Sequence, residues 1–497
     1  MARKLEFVCI AFGLAACLIY AVVVILRFIY PYTLWLFEGD IFLHVLRLKQ
    51  GLDIYPEKIG IDFIPLIYMP VYYYIGVVTT SLIPGLPGLR IISILSILQI
   101  FIVIFKILKE AKVPFWLCIV VLGYLACTSH IAYGQMENVR NDGLMLATVL
   151  WGIYLVSSKQ TDRKRVIYGS GLIAISFYIK QTGIIYALGI FLFMCIRKRR
   201  YIWIFILTYL IIFILTGVII YSLHGPGWIF YTVIVPSLQK IYFNELSVDG
   251  YTIWLRYFPI IVLLGIVSIY YCIKNEKGNT IELLIWSLPA SFLAYALPRC
   301  KSGGFVNNTV HLAVVLMVLS GWVFAKMNDE FVLSKSIKIS KVKPLLLYLL
   351  VIIQFAILIY NPMDEIPNYG NYKINRDYIK KLAALKGKVF NPLSQYHNYL
   401  AGKETFFSYV PYADLKYAGV IPGYPLGMVN AFESGEISYL LTPPEHSPTG
   451  PNIPIGLKVE FVNEGMLLDQ AIYKPNINIM LPPLKLYKVV PKESEPE

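Results

Sequence analysis

At 497 residues, 57% hydrophobic and only 15% charged, with a mean hydropathy of +0.64, the chain falls outside the range of soluble globular domains. A formal charge of +14 would suit nucleic acid, but Lys and Arg sit in short clusters between apolar runs, which is the pattern of cytoplasmic loops and excludes a phosphate-tracking face. The seven cysteines lie in or beside apolar runs, apart from Cys300 alone in a loop, and offer neither a disulfide framework nor zinc-ligand spacing.

A spanning helix needs roughly 20 apolar residues. Such runs occur at about 6–30, 89–108, 114–133, 143–157, 166–179, 183–196, 201–222, 257–273, 281–297, 309–325 and 344–360, predicting an α-helical polytopic membrane protein of about eleven spans. The first run follows "MARK" without a small-residue cleavage site and reads as a retained anchor. Alternating spans place Arg3 and Lys4, "KILKEAK", "KQTDRKR", "RKRR", "KNEK" and the stretch 326–343 on one side, which the basic-loop rule makes cytoplasmic, together with the N-terminus. The stretch 65–83 contains Pro65 and Pro70 and would break that pattern as a span, so it reads as a juxtamembrane or re-entrant helix within a first outer loop, 31–88.

Residues 1–361 therefore read as a transmembrane domain and 362–497 as a small extracytoplasmic α/β domain. In the latter, "NRDYIKKLAALKGKVFNPL" predicts an amphipathic helix and a short strand, "ISYLLTP", "LKVEFV" and "LKLYKVV" predict further strands, and "PKESEPE" reads as a frayed tail.

Ionisable side chains at membrane depth cost about 2.5–3.5 kcal/mol on insertion scales, so each is a functional candidate. In "LWLFEGDIFLH", Asp40, His44 and Arg47 share one helical face, which predicts an amphipathic helix on the outer interface, with Glu38 or Asp40 also suited to capping it. Further along, "YGQMENVRNDG" brings Arg140 and Asp142, which could simply pair with each other. Lys180 interrupts a nearly continuous apolar stretch, and "PRCKSGG" adds Arg299 and Lys301. Carboxylates in the first outer loop with cations at the outer ends of later spans suit one chemistry. A carboxylate takes a proton from an acceptor hydroxyl while cations stabilise the phosphate that leaves a lipid-linked sugar. Tyr72, Tyr73 and Tyr74 could line the site or the membrane interface.

These motifs resemble the GT-C superfamily of polytopic glycosyltransferases, and within it the family 39-like enzymes that include protein mannosyltransferases and aminoarabinose transferases. The resemblance runs over roughly the first 330 residues, on "FEGDIFLHVLRLKQGLDIY", "FIPLIYMPVYYYIG" followed by "GLRIISIL", "RNDGLMLATVLWGIYL" and "FYIKQTGIIYALGIF"; "KVFNPLSQYHNYLAGK" is similar to a segment of bacterial relatives. Where that family has Asp-Glu, this chain has Phe37-Glu38, with Asp40 two residues on. The resemblance implies an inverting transfer from a polyprenyl-phosphate sugar to a lipid, glycan or protein hydroxyl on the outer face of the cell membrane. It implies Glu38 or Asp40 as base, and Lys180 and Arg140 on the donor phosphate, with Arg299 and Lys301 as weaker candidates. Asp142, His44 and Tyr73 would orient groups or meet the acceptor. The family is expected to need no metal or other cofactor, and no DxD motif is present.

A transporter or flippase of a lipid-linked sugar is the main alternative. Transporters tend to carry an internal repeat, and none is visible between the halves. A purely structural membrane protein would not explain why charges gather at the outer helix ends.

Overall fold

The computed structural model describes residues 2–134, 136–275, 278–333, 337–444, 457–471 and 481–491. Every apolar run folds as helix, the structure that satisfies each backbone amide within its own segment when water is absent. In chain order these are α1 (Ala2–Phe28), α2 (Leu36–Lys49), α3 (Val71–Leu82), α4 (Leu86–Glu110), α5 (Phe115–Ile131), α6 (Asn141–Ser157), α7 (Arg163–Ile179), α8 (Gly183–Arg197) and α9 (Ile202–Ile229). There follow α10 (Val235–Leu238), α11 (Asn244–Asp249), α12 (Pro259–Asn275), α13 (Thr280–Trp286), α14 (Leu288–Arg299), α15 (Thr309–Leu333) and α16 (Ile337–Leu358).

Among the described residues, four helices are long and apolar enough to cross a membrane, or up to seven if each of three bent pairs is one span. The run at 281–297 is one such pair, α13 and α14 meeting at 41°. The Pro-flanked stretch 65–83 yields only the twelve-residue α3. At about 1.5 Å per residue it is shorter than a hydrocarbon core of roughly 30 Å.

The helix ends sort into two groups. Glu110, Lys112, Lys159 and Lys326 line one cavity, so basic loops that are distant in sequence meet at one end of the bundle. Arg140, Lys180, Pro298 and Asn308 meet around another cavity at the opposite ends of their helices.

The remaining chain forms α17 (Tyr369–Ala384), β1 (Lys388–Phe390), α18 (Gln395–Leu400), α19 (Tyr409–Tyr417), α20 (Leu426–Glu433), β2 (Ile437–Thr442), β3 (Val459–Leu468) and β4 (Leu484–Pro491). The sheet order is β1-β2-β4-β3, with β1 and β2 parallel and the other pairs antiparallel. The strands arise where the alternating patterns place them, and Asn368 opens α17 with a capping box to Asn371. Residues 492–497, most of the expected tail, lie outside the described residues.

One expectation is corrected. The polar face of α2 does not lie open at an interface: Asp40 is buried beside Ser408 of the C-terminal region, and His44 is buried against Phe63 and Tyr73. Gly39 makes the contact possible, since a Cβ there would stand 2.8 Å from the Tyr396 Cβ. Phe42 completes the joint, with its ring centroid 5.2 Å from those of Tyr396 and Tyr399.

Candidate active site

The two acids of α2 have different surroundings. Glu38 is at 0% exposure, and its oxygens are taken up by protein donors. Arg90 Nε and Nη2 donate at 3.1 and 2.6 Å, and the backbone amides of Leu34 and Val139 at 2.7 and 3.1 Å. Arg90 also donates to the carbonyls of Arg27, Tyr30 and Tyr32. The pair therefore ties the exit of α1, the first turn of α2, the start of α4 and the segment before α6 together. Trp35, the residue at the N-cap of α2, makes no side-chain cap, and Glu38 instead reaches back to Leu34 from the third helical position.

Beside this clamp lies a cavity of about 280 Å³. Arg140, at the N-cap of α6, Lys180, at the break between α7 and α8, and Lys301, in the turn after α14, bring three cations to its wall. Asp142 does not take Arg140 as its close ion-pair partner; Lys180 Nζ lies 2.5 Å from its Oδ1 and 2.8 Å from Asn308 Oδ1. The Arg140 guanidinium lies over the Phe37 ring at 4.1 Å. Lys301 donates to the Pro236 carbonyl at 2.6 Å and is paired with no carboxylate among the described residues. Gly304 lets this turn close on itself, since a Cβ there would sit 2.3 Å from the Pro298 carbonyl oxygen.

Phe37 lines this cavity, whereas Asp40, three residues along α2, lines a second one of about 160 Å³. One turn of a single face of α2 thus reaches both cavities. Burial pushes the Asp40 carboxyl up to about 7, with the Ser408 hydroxyl and the Arg140 charge pulling the other way. Asp414 of α19 also lines the first cavity, and burial raises it to about 7, with Arg140 opposing and the like charge of Asp40 adding to the rise. Arg140 is thereby the cation shared by two acids, Asp40 buried and Asp414 partly buried.

His44 lines the second cavity and donates from Nδ1 to the Asp40 carbonyl at 2.5 Å. Burial holds this imidazole neutral, its pKa pushed down to about 4, so the ring carries its one proton on Nδ1. Nε2 remains a buried acceptor without a partner among the described residues. Tyr73 is buried, 5.9 Å from the His44 ring, and lines neither cavity. Arg299 also stands apart from both, held by Asp249 at 2.8 and 3.0 Å and by Glu245 at 2.7 Å.

The family model described as Glycosyltransferase family 87 matches residues 67–323, from the Pro-rich stretch before α3 into α15. The chain belongs to glycosyltransferase family 87. No curated protein matches the sequence. The fold is similar to that of ArnT from Cupriavidus metallidurans, solved bound to undecaprenyl phosphate, at 10% identity and a TM-score of 0.54, covering 96% of this chain and 97% of that one. The apo state of the same protein is similar at a TM-score of 0.56 with the same identity and coverage. An oligosaccharyltransferase from Archaeoglobus fulgidus is similar at 12% identity and a TM-score of 0.48, covering 88% of this chain and 69% of that one. This family 87 chain is thus a glycosyltransferase, and its long apolar helices make it an integral membrane protein.

Within this family 87 chain, sequence reasoning singles out Arg140, Asp142, Lys180 and Lys301, and the fold gathers all four around one cavity. It overlooks Asp414, one acid among the aromatics of "YVPYADLKY", for which no spacing signals a role. Arg90 stands in the quoted "GLRIISIL", but nothing in the sequence says that its partner is Glu38.

Proposed function

We propose that this glycosyltransferase moves a sugar from a polyprenyl-phosphate donor to an acceptor hydroxyl with inversion, and that Asp40 is the base. The single observation that carries the reading is the pair of cavities met by one face of α2, one lined by cations and the other by a buried carboxylate raised to about 7 that feels the Arg140 charge. Glu38 has no such role here, because its lone pairs are already committed to Arg90 and two amides.

Asp40 takes the proton of the acceptor hydroxyl as its oxygen attacks the anomeric carbon. The carbon–oxygen bond to the phosphate breaks from the opposite side, and its electron pair leaves with the phosphate. Arg140, Lys180 and Lys301 stabilise that charge, a role the reading gives to protein cations without a metal. Asp142 and Asn308 fix the direction of Lys180. Asp142, Asn308 and the cations sit at the end of the bundle opposite the basic loops, which supports an extracytoplasmic site, a cytoplasmic N-terminus and an extracytoplasmic C-terminal domain.

Incubating the membrane-embedded protein with radiolabelled polyprenyl-phosphate sugars tests this. The expected result is covalent transfer with the anomeric configuration inverted. Labelled lipid that crosses the bilayer without any covalent transfer would sink the reading in favour of a flippase.

A further inference from the structure

We infer that the cavity at the end of the bundle where the basic loops meet is an anion site that takes a phosphate group, presented by an anionic phospholipid headgroup or by soluble phosphate. It lies at the opposite helix ends from Arg140 and Lys180, outside the transfer site. Four stretches distant in sequence build it: the end of α4 with the turn after it, the residues before α7, the start of α13, and α15. At about 130 Å³ it has room for a phosphate group with water around it. Among the described residues of its wall, three lysines, Lys112, Lys159 and Lys326, stand with one carboxylate, Glu110. Glu110 Oε1 accepts the backbone amide of Lys159 at 2.8 Å, which ties that turn to the end of α4 and commits the oxygen to an uncharged donor. Neither Lys112 nor Lys159 has a carboxylate partner among the described residues. Ile107 and Ile281 on the same wall are 0% and 1% exposed, so the cations stand against an apolar floor where their attraction for an anion is less screened.

The backbone at Lys112 points the same way independently. α4 ends in a Schellman turn, in which the Lys112 amide donates to the Lys109 carbonyl at 3.0 Å and the Val113 amide to the Leu108 carbonyl at 2.9 Å. The corner of such a turn takes a left-handed backbone, and Lys112 adopts it with a φ of 61°. Glycine meets that demand without strain, so a lysine is held here against the local backbone preference, and its side chain is what the position gains. A lysine binds phosphate as a point charge, and basic pockets between spanning helices hold anionic headgroups. A phosphate shared by Lys112, Lys159 and Lys326 would link α4, the turn before α7 and α15, so its binding should register as stability.

The probes are phosphatidylglycerol, phosphatidylcholine and inorganic phosphate. Lys112→Gly suits its turn while removing a cation, and it is combined with Lys159→Gln. Lys106→Gln with Lys164→Gln removes the same charge from exposed positions outside the cavity. By native mass spectrometry, the purified parent should retain phosphatidylglycerol severalfold over phosphatidylcholine. The cavity variant should lose that preference at least fivefold, and the control variant should keep it within twofold. Inorganic phosphate, compared with chloride at equal ionic strength, should raise the Tm of the parent and the control but not of the cavity variant. A lipid preference that depends on the cavity lysines identifies the headgroup as the source, and a Tm rise without lipid preference identifies soluble phosphate; either supports the site. A cavity variant that behaves as the parent, equal losses in the two double variants, or a parent that responds to none of the probes would overturn it.

Discussion

Arg90 grips Glu38 with two nitrogens, Nε on Oε1 at 3.1 Å and Nη2 on Oε2 at 2.6 Å, and both side chains are 1% exposed. Removing one member of a buried pair strands the other charge, at a cost of about 3–5 kcal/mol. Glu38→Gln and Arg90→Met should therefore lower the thermal midpoint markedly in detergent. Any activity loss should follow the loss of folded protein. A Glu38→Gln variant that keeps its Tm would contradict the clamp.

Asp40 and Asp414 are held near 7 by burial, well above the ordinary carboxylate value of about 3.9. As a base, Asp40 works ionised, so kcat/KM should rise with pH through about 7 and level off above it. Stability should run the other way. A raised folded-state pKa favours the native state at low pH, and that contribution is lost as pH rises from about 4 through 7. Asp414→Asn removes a like charge near Asp40 and should move the acidic limb of the rate profile to lower pH, and a limb that stays in place would separate the two acids.

How much of this was legible in the sequence depends on the kind of signal. Apolar runs announce helices by composition alone, and the C-terminal strands by alternation, because both report burial one residue at a time. The gathering of Arg140, Asp142, Lys180 and Lys301 was legible as charge recurring at helix ends. The partners were not. Lys180 rather than Arg140 holds Asp142 at close range, Asp249 removes Arg299 from the cavity, and Arg90 takes Glu38. Such pairings are decided by packing between segments 38 to 52 residues apart, where local pattern carries no information. The covering of α2 was hidden for the same reason, although Gly39 between the two acids marks where another chain segment comes close.

Gly39 gives a direct probe of that contact. With Tyr396 Cβ only 2.8 Å from where a new Cβ would stand, Gly39→Ala should cost about 1–3 kcal/mol, as overpacking does. Limited proteolysis should then release the C-terminal region faster than in the parent. Equal cleavage rates would show that this joint does not hold the region in place.

The three cations should contribute unequally to donor binding. Lys301 carries no carboxylate partner among the described residues, so Lys301→Ala should weaken undecaprenyl-phosphate binding by roughly tenfold, about 1.4 kcal/mol, with little change in Tm. Lys180→Ala should weaken binding and also lower Tm, since it leaves Asp142 without its closest cation. Identical behaviour of the two variants would contradict the different pairing seen here.

The most direct test of the account is sugar transfer from a radiolabelled polyprenyl-phosphate donor by Asp40→Asn. The protein should remain folded, because Asn keeps the shape of the acid and removes the cost of burying its charge. Transfer should fall by about 10²–10⁴-fold, the usual contribution of a positioned base. Full transfer by a folded Asp40→Asn enzyme would contradict the assignment of the base.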